Sequence, residues 1–167
     1  MRGTDAVEAL AELMPVTDGV DEHVDWGDVE AVWGTRFPSD YVRFMEVYGA
    51  GDISETISIL LPAPHVEGWP YQADPGLQDE TDFDVDPESI VAWGVPSGAD
   101  IYSWVTADDD PDRWPVLIFS RGNDAMRLVP LGMAAFLHRL LSDAVFREGK
   151  ISIVLQDEVS FVNWRNG

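Results

Sequence analysis

The chain has 167 residues, of which 46% are hydrophobic, and its 31 acidic and 10 basic residues give a formal net charge of -21. This length fits one domain, and the hydrophobic content excludes a largely disordered acidic chain. The lack of cysteine excludes disulfide bonds and cysteine-ligated zinc, and the negative charge disfavours direct binding to nucleic acids or anionic membranes.

Two stretches near the start have the apolar spacing of amphipathic helices. Thr4 is a suitable N-cap for the first helix, which Pro15 ends. Asp25 is a suitable N-cap for the second helix, which Gly34 ends. The apolar stripes are Val7, Leu10, Ala11 and Met14 in the first helix, and Trp26, Val29 and Trp33 in the second.

The sequence predicts two further helices. Pro38 suits the first position of the third helix, and Gly49 follows its last turn. The fourth helix is predicted to begin at Pro130 and to extend towards Gly149. The apolar stripes are Tyr41, Phe44, Met45 and Tyr48 in the third helix, and Met133, Phe136, Leu137, Leu140 and Leu141 in the fourth.

Between the third and fourth helices the pattern changes to that of β-strands. The predicted strands are Ile57 to Leu61, Ile101 to Val105, Val116 to Phe119 and the pair Met126 and Leu128. Residues 120–124 predict a hairpin loop, and residues 151–164 predict one or two more strands. Helices followed by an antiparallel meander and a helix predict one α+β domain over residues 1–167.

The segment from Pro62 to Glu88 contains five prolines and many acidic residues, which predicts a long surface loop.

Several motifs follow each other in a characteristic order. Trp33 to Ile53, WGTRFPSDYVRFMEVYGAGDI, is an aromatic-rich amphipathic helix that ends in Tyr-Gly-x-Gly before a strand. Trp93-Gly94, Gly98 through Trp104, Asp110 through Val116 and the helical stretch Phe136 to Leu141 follow. Together they resemble the SUKH superfamily, which includes fungal cell-wall-synthesis regulators and many bacterial immunity proteins. In one element Gly98-Ala99-Asp100 replaces the adjacent Gly-Asp of the family.

The resemblance covers Trp26 to Ser142, so the first helix and the tail are extensions to it. It implies a central, curved antiparallel sheet with flanking helices. It also implies a role without catalysis, often the neutralisation of a cognate toxin, and many of these toxins are nucleases.

Two acidic clusters have part of the spacing of a calcium-binding loop. They are Asp82, Asp84 and Asp86, and Asp108, Asp109, Asp110 and Asp112. Pro87 and Arg113 stand where the turn glycine is needed, and Trp93 and Phe119 stand where the bidentate glutamate is needed. We therefore interpret both clusters as solvated loop charges and predict no metal site.

The sequence also lacks motifs that arrange catalytic groups. His23, His65 and His138 do not have the spacing of a zinc site, and neither a G-x-S-x-G elbow nor a phosphate-binding loop is present. Paired carboxylates of the hydrolase type stay open as an alternative, because acids are abundant. We predict that the chain is not an enzyme and needs no cofactor.

Aromatic rings among acidic residues are typical of protein interfaces, because rings contribute buried area and carboxylates pair with Lys or Arg. The predicted interaction residues are Asp108, Asp109, Asp110, Asp112, Trp114, Trp69, Tyr71, Asp79, Glu80, Asp82, Asp84 and Asp86. The alternative for Trp114 is packing at the sheet edge, since tryptophan is mostly buried. Trp26, Trp33, Trp93 and Trp104 are predicted core residues.

These features predict a protein partner with a basic surface. Together with the resemblance they favour an immunity protein that neutralises a basic, polymorphic toxin such as a nuclease. The chain shows no signal peptide or membrane span, so we expect it to be soluble and cytoplasmic. The alternatives are a regulatory or structural interaction module of the same fold and a small hydrolase or metal-dependent enzyme. An acid-rich proteome would also explain the charge without any partner.

Overall fold

The computed structural model of the protein describes residues 3–15, 25–60, 90–96, 100–120, 125–147 and 159–163. The helices are α1 Gly3–Leu13, α2 Trp26–Trp33, α3 Ser39–Val47, α4 Met133–Ser142 and α5 Ala144–Arg147. The strands are β1 Gly51–Ile53, β2 Ile57–Ile59, β3 Ile90–Pro96, β4 Ile101–Val105, β5 Val116–Ser120, β6 Ala125–Val129 and β7 Phe161–Asn163. None of the described helices is long and apolar enough to cross a membrane.

The seven described strands form one open antiparallel sheet in the order β6-β5-β4-β3-β2-β1-β7. Strands β1 to β6 are therefore a meander, and β7 returns to pair with β1. A side chain on Gly51 would collide with the backbone of Val162, so glycine permits this close pairing. The predicted α+β class and the order of helices, meander and helix are confirmed.

The main core lies between one face of the sheet and helices α1, α3 and α4. Trp93 and Trp104 are fully buried at its centre, with ring centroids 6.2 Å apart. Tyr41 of α3 meets Trp104 edge to face at 5.0 Å, a geometry that adds about 0.5–1.5 kcal/mol to the gain from burial alone. The predicted stripes of α3 and α4 are buried in full. Of the first predicted stripe, Val7 and Leu10 in α1 and Met14 just after it are buried, whereas Ala11 is half-buried.

The ends of the helices differ from the sequence prediction. Helix α1 begins at Gly3, so Thr4 lies inside it and is not its N-cap. Pro38 is the N-cap of α3 and not its first helical residue. Helix α4 begins at Met133, three residues after Pro130, and ends at Ser142, because the backbone of the next residue, Asp143, leaves the helical conformation.

Two strands were not predicted from periodicity. Strand β3 has a bulge between Ala92 and Gly94, which breaks the alternation that marks a strand. Strand β1 has only three residues, too few for a pattern. Strand β7 lies within the predicted C-terminal strand region. Several predicted parts of the chain lie outside the described residues. They are Leu61, the Pro62–Glu88 loop, residues 121–124 of the hairpin loop, residues 151–158 and the side chain of Trp33.

A buried carboxylate joins the beginnings of α3 and α4. Asp40 is only 4% exposed, and its Oδ1 accepts a hydrogen bond from the Tyr41 N–H at 2.8 Å. Its Oδ2 accepts from the Ala134 N–H in the first turn of α4 at 2.9 Å. The N-cap of α4 is Gly132, which has no side chain to accept this bond. Asp40 therefore caps α4 from another helix.

The environment of Asp40 sets its ionisation. Burial raises its pKa above the ordinary 3.8, the N–H donors of Ala134 and Tyr41 oppose this rise, and the nearby charge of Asp112 adds to it. The partial positive charges at the starts of α3 and α4 favour the carboxylate at this position.

Replacing Gly132 by alanine should destabilise the fold. A Cβ at this position would lie 2.9 Å from Oδ2 of Asp40, so the capping carboxylate would have to move. We expect Gly132→Ala to lower the free energy of unfolding by about 1–3 kcal/mol in urea denaturation. Gly27→Ala is the matched control, because a Cβ there meets its nearest atom at 3.4 Å. Equal stability of the two variants would contradict the role of Asp40 as a cap.

The stabilisation by Asp40 should decline as the pH rises. Because its pKa is higher in the folded chain, the folded chain binds more protons than the unfolded chain between the two pKa values. The difference in free energy of unfolding between the wild type and Asp40→Asn should therefore be largest below about pH 4 and smaller near pH 7. Urea titrations across this range measure it, and a difference that grows with pH would refute the assignment.

Candidate protein-interaction surface

The acidic loop, Asp108–Asp112, connects β4 to β5 and leads into a 3₁₀ turn at Pro111–Arg113. Oδ1 of Asp108 accepts a hydrogen bond from the Asp110 N–H at 2.9 Å, and Oδ1 of Asp110 accepts from the Asp112 N–H at 3.0 Å. Pro111 suits the start of the turn, because its missing N–H would have had no partner there. Asp108 and Asp110 thus fix the shape of the loop itself.

Trp114 anchors the base of the acidic loop and does not project from it. Its side chain is 4% exposed, and its ring centroid lies 6.1 Å from that of Trp104 in the core. Its indole N–H donates to the Asp108 carbonyl at 2.7 Å. In this structure the Trp114 ring packs against the sheet. This is the alternative to an exposed interface residue that the sequence left open.

Asp112 fastens the acidic loop to helix α3. Its Oδ1 accepts hydrogen bonds from the Ser39 N–H at 2.7 Å and from the Ser39 hydroxyl at 2.8 Å, and the hydroxyl also lies 2.9 Å from Oδ2. Helix α3 has Pro38 at its N-cap, which offers no side-chain acceptor. Asp112 supplies that acceptor from 73 residues away in the sequence.

The outward charge of the acidic loop is strongest at Asp108 and Asp109, which are both exposed. Asp110 is partly balanced by Arg36 at 4.0 Å and by Arg113 at 3.9 Å. The Asp109 carboxylate has no hydrogen bond or ion pair to any other described residue, so it is free to meet a cation from outside.

The structure brings together one of the two predicted groups of interaction residues. Asp108, Asp109, Asp110 and Asp112 share the acidic loop above the buried Trp114. The other predicted residues lie outside the described residues and stay predictions: Trp69, Tyr71, Asp79, Glu80, Asp82, Asp84 and Asp86. In the part of the chain that the structure describes, no group of three or more His, Asp or Glu side chains could hold a metal ion.

Sequence reasoning missed Ser39 and Arg36, which border the acidic loop in space but precede it by some seventy residues. The local signal was that Pro38, which precedes the first residue of α3, has no side-chain acceptor. The lack of an acceptor at the N-cap indicates that a residue distant in the sequence accepts the hydrogen bond, but it does not identify that residue.

The SUKH_6 family, described as SMI1-KNR4 cell-wall, matches residues 24–137. The chain belongs to the SUKH superfamily. Domains of this superfamily are generally non-enzymatic immunity or regulatory domains that bind other proteins. The matched region of this SUKH chain begins just before α2, ends inside α4 and includes the acidic loop. The comparisons with curated proteins and with solved structures gave no match.

The bonds between Ser39 and Asp112 should hold the acidic loop in place. We expect Asp112→Ala to lower the free energy of unfolding by about 0.5–2 kcal/mol, because α3 loses its capping acceptor. It should also speed amide hydrogen exchange at Ser39 and in the 3₁₀ turn. Asp109→Ala is the matched control, since it removes an exposed loop carboxylate without a described bond. Similar behaviour of the two variants would contradict the role of Asp112.

Proposed function

We propose that this SUKH protein is an immunity protein that neutralises a basic toxin in the cytoplasm by covering its surface, without catalysis. Membership of the superfamily supports protein binding in general. The observation that carries the finer proposal is the exposed, rigidly held acidic loop, since it offers carboxylates to a cationic surface. The acidic residues predicted between Asp79 and Asp86, with Trp69 and Tyr71, are further proposed contacts.

Rigidity of the acidic loop favours tight binding. Asp108 and Asp110 shape the loop, Trp114 anchors it to the core, and Asp112 ties it to α3. A loop that is already ordered loses little conformational entropy when a partner binds, so more of the interaction energy appears as affinity. The carboxylates of Asp108 and Asp109 are exposed, so a Lys or Arg of the partner can approach them.

Long-range electrostatics favours fast binding to a cationic partner. A net charge of -21 attracts a basic protein from a distance and raises the rate of encounter. Salt weakens this attraction, because charges more than about 8–10 Å apart are screened at physiological ionic strength. If the toxin is a nuclease, the carboxylates of the acidic loop would occupy positions that substrate phosphates otherwise fill.

A second candidate is a regulatory interaction domain without a toxin partner, which the cell-wall description of the matched family favours. The identity of the bound protein separates the two. We expect affinity capture from the native host, followed by mass spectrometry, to recover a basic protein whose toxicity this chain suppresses when the two are co-expressed. Recovery of a non-toxic partner would support the regulatory role, and turnover of a substrate by the purified chain would refute both.

The acidic loop should control association with the captured partner. We expect Asp109→Lys to slow association by about tenfold at low salt and to weaken its salt dependence, because a repulsive charge replaces an attractive one. Glu12→Lys on α1 is the matched control, since it changes the net charge equally but lies outside the loop. Stopped-flow mixing measures both rates. If the two variants slow association equally, the overall charge and not the acidic loop is responsible.

A further inference from the structure

A groove of about 300 Å³ lies between helices α2 and α3, beside the acidic loop. We call it the α2–α3 groove. The described residues that line it include two glutamates, two arginines and two apolar side chains: Glu30, Glu46, Arg36, Arg43, Phe37 and Val42. An apolar lining with a few charged groups is typical of a site that binds a side chain or a small ligand.

The apolar part of the groove is anchored in the main core. Phe37 is buried, and its ring centroid lies 5.8 Å from that of Tyr41 and 5.9 Å from that of Trp104. Both of these neighbours are fully buried. The apolar lining is therefore formed before a partner binds, so binding requires little reorganisation of the groove.

The groove is continuous with the acidic loop. Ser39 lines the groove, and its N–H and hydroxyl donate hydrogen bonds to Asp112 at 2.7 and 2.8 Å. Arg36 also lines the groove and lies 4.0 Å from Asp110. The acidic loop and the α2–α3 groove thus form one connected surface.

The positive charges of the groove are already paired. The Arg43 guanidinium lies 3.0 Å from the Glu8 carboxylate and 3.3 Å from that of Glu46, and Arg36 is paired with the acidic loop. Glu30 is half-buried, and its carboxylate has no hydrogen bond or ion pair to any other described residue. An ionised side chain in such a position favours a cation from outside the chain.

The positions of the two glutamates in their helices add to this attraction. Glu30 lies in the last turn of α2, where its carbonyl accepts a hydrogen bond from the N–H of the C-cap Gly34 at 2.8 Å. Glu46 lies in the last turn of α3. The end of a helix carries partial negative charge, which disfavours an acid and favours a cation. Neither helix has a basic residue in its last turn, so a cation from a partner would stabilise both ends.

We propose that the α2–α3 groove binds an arginine side chain of the basic partner, with its aliphatic stem on Phe37 and Val42 and its guanidinium on Glu30. Arginine stems pack well on apolar surface, and the planar guanidinium can donate two parallel hydrogen bonds to one carboxylate. Arginine is also enriched among the residues that contribute most to protein interfaces. This inference rests on the proposed function for the charge of the partner, and it adds the position and chemistry of one contact.

A blocked tripeptide, acetyl-Gly-Arg-Gly-amide, tests the groove without the partner. At constant ionic strength we expect it to shift the amide signals of Glu30, Val42 and Glu46 in proton–nitrogen NMR spectra of the full chain, with saturation in the millimolar range. Glu30→Gln should weaken this binding by about fivefold, because a charge-assisted hydrogen bond becomes a neutral one. Asp28→Asn is the matched control, since it removes an exposed carboxylate of the same helix outside the groove.

Shifts that do not saturate, or that spread over the whole acidic surface, would overturn the proposal, since the net charge alone would then attract the peptide. Equal weakening by Glu30→Gln and Asp28→Asn would also overturn it. So would saturable binding of acetyl-Gly-Glu-Gly-amide at the same signals, because the groove would then select an acid through its arginines. Glu30→Gln should be at least as stable in urea as the wild type, because it removes an acid from the last turn of α2.

The captured partner separates this inference from the proposed function. In that complex Glu30→Gln should speed dissociation by about tenfold and leave association unchanged, because a desolvated charge pair acts after encounter, whereas Asp109→Lys slows association. Unchanged dissociation would refute the groove contact and leave the acidic loop as the proposed interface. A partner without a basic surface would refute the proposed function, and the tripeptide would still show whether the groove selects arginine.

Discussion

Two carboxylates cap helices that cannot cap themselves, and the arrangement of the helices and the acidic loop depends on them. The N-caps of α3 and α4 are Pro38 and Gly132, neither of which has a side-chain acceptor. Asp112 caps α3 and Asp40 caps α4, so the acidic loop, α3 and α4 form one connected unit. An uncapped helix start leaves backbone N–H groups without partners, which is costly inside a protein.

Capping also accounts for part of the large acidic content. Asp25 caps α2, Asp110 caps the 3₁₀ turn, and Asp143 accepts bonds from the first N–H groups of α5. Hydrogen bonds from Phe146 and Val145 and the charge of Arg139 lower the pKa of Asp143, as expected for a carboxylate that acts in its ionised form. These carboxylates form hydrogen bonds within the chain and stabilise its own fold. The net charge therefore overstates the number of carboxylates that are free to bind a partner.

The sequence predicted those parts of the fold that have a local pattern. The stripe from Tyr41 to Tyr48 has a clear helical period, and Val116 to Phe119 is a continuous apolar run typical of a buried strand. The structure buries both. Strand β3 escaped prediction because its bulge interrupts the period. The capping bonds of Asp40 and Asp112 join residues 94 and 73 positions apart, which no local pattern reports. In the acidic loop, composition predicted carboxylates at the surface, but only the structure separates the free Asp109 from the hydrogen-bonded Asp112.

The packing of α1 on α4 has a consequence for synthesis of the chain on the ribosome. Helix α1 ends at Leu13, and its principal partner, α4, begins at Met133. At about 5–20 residues per second, the α1 segment has been synthesised for roughly 6–24 s before α4, the element it contacts most, begins to be made. During that interval its apolar side is available to chaperones, whereas the strands of the meander can pair with their neighbours as they emerge. The first helix in the sequence can thus complete its packing only after one of the last elements has been synthesised.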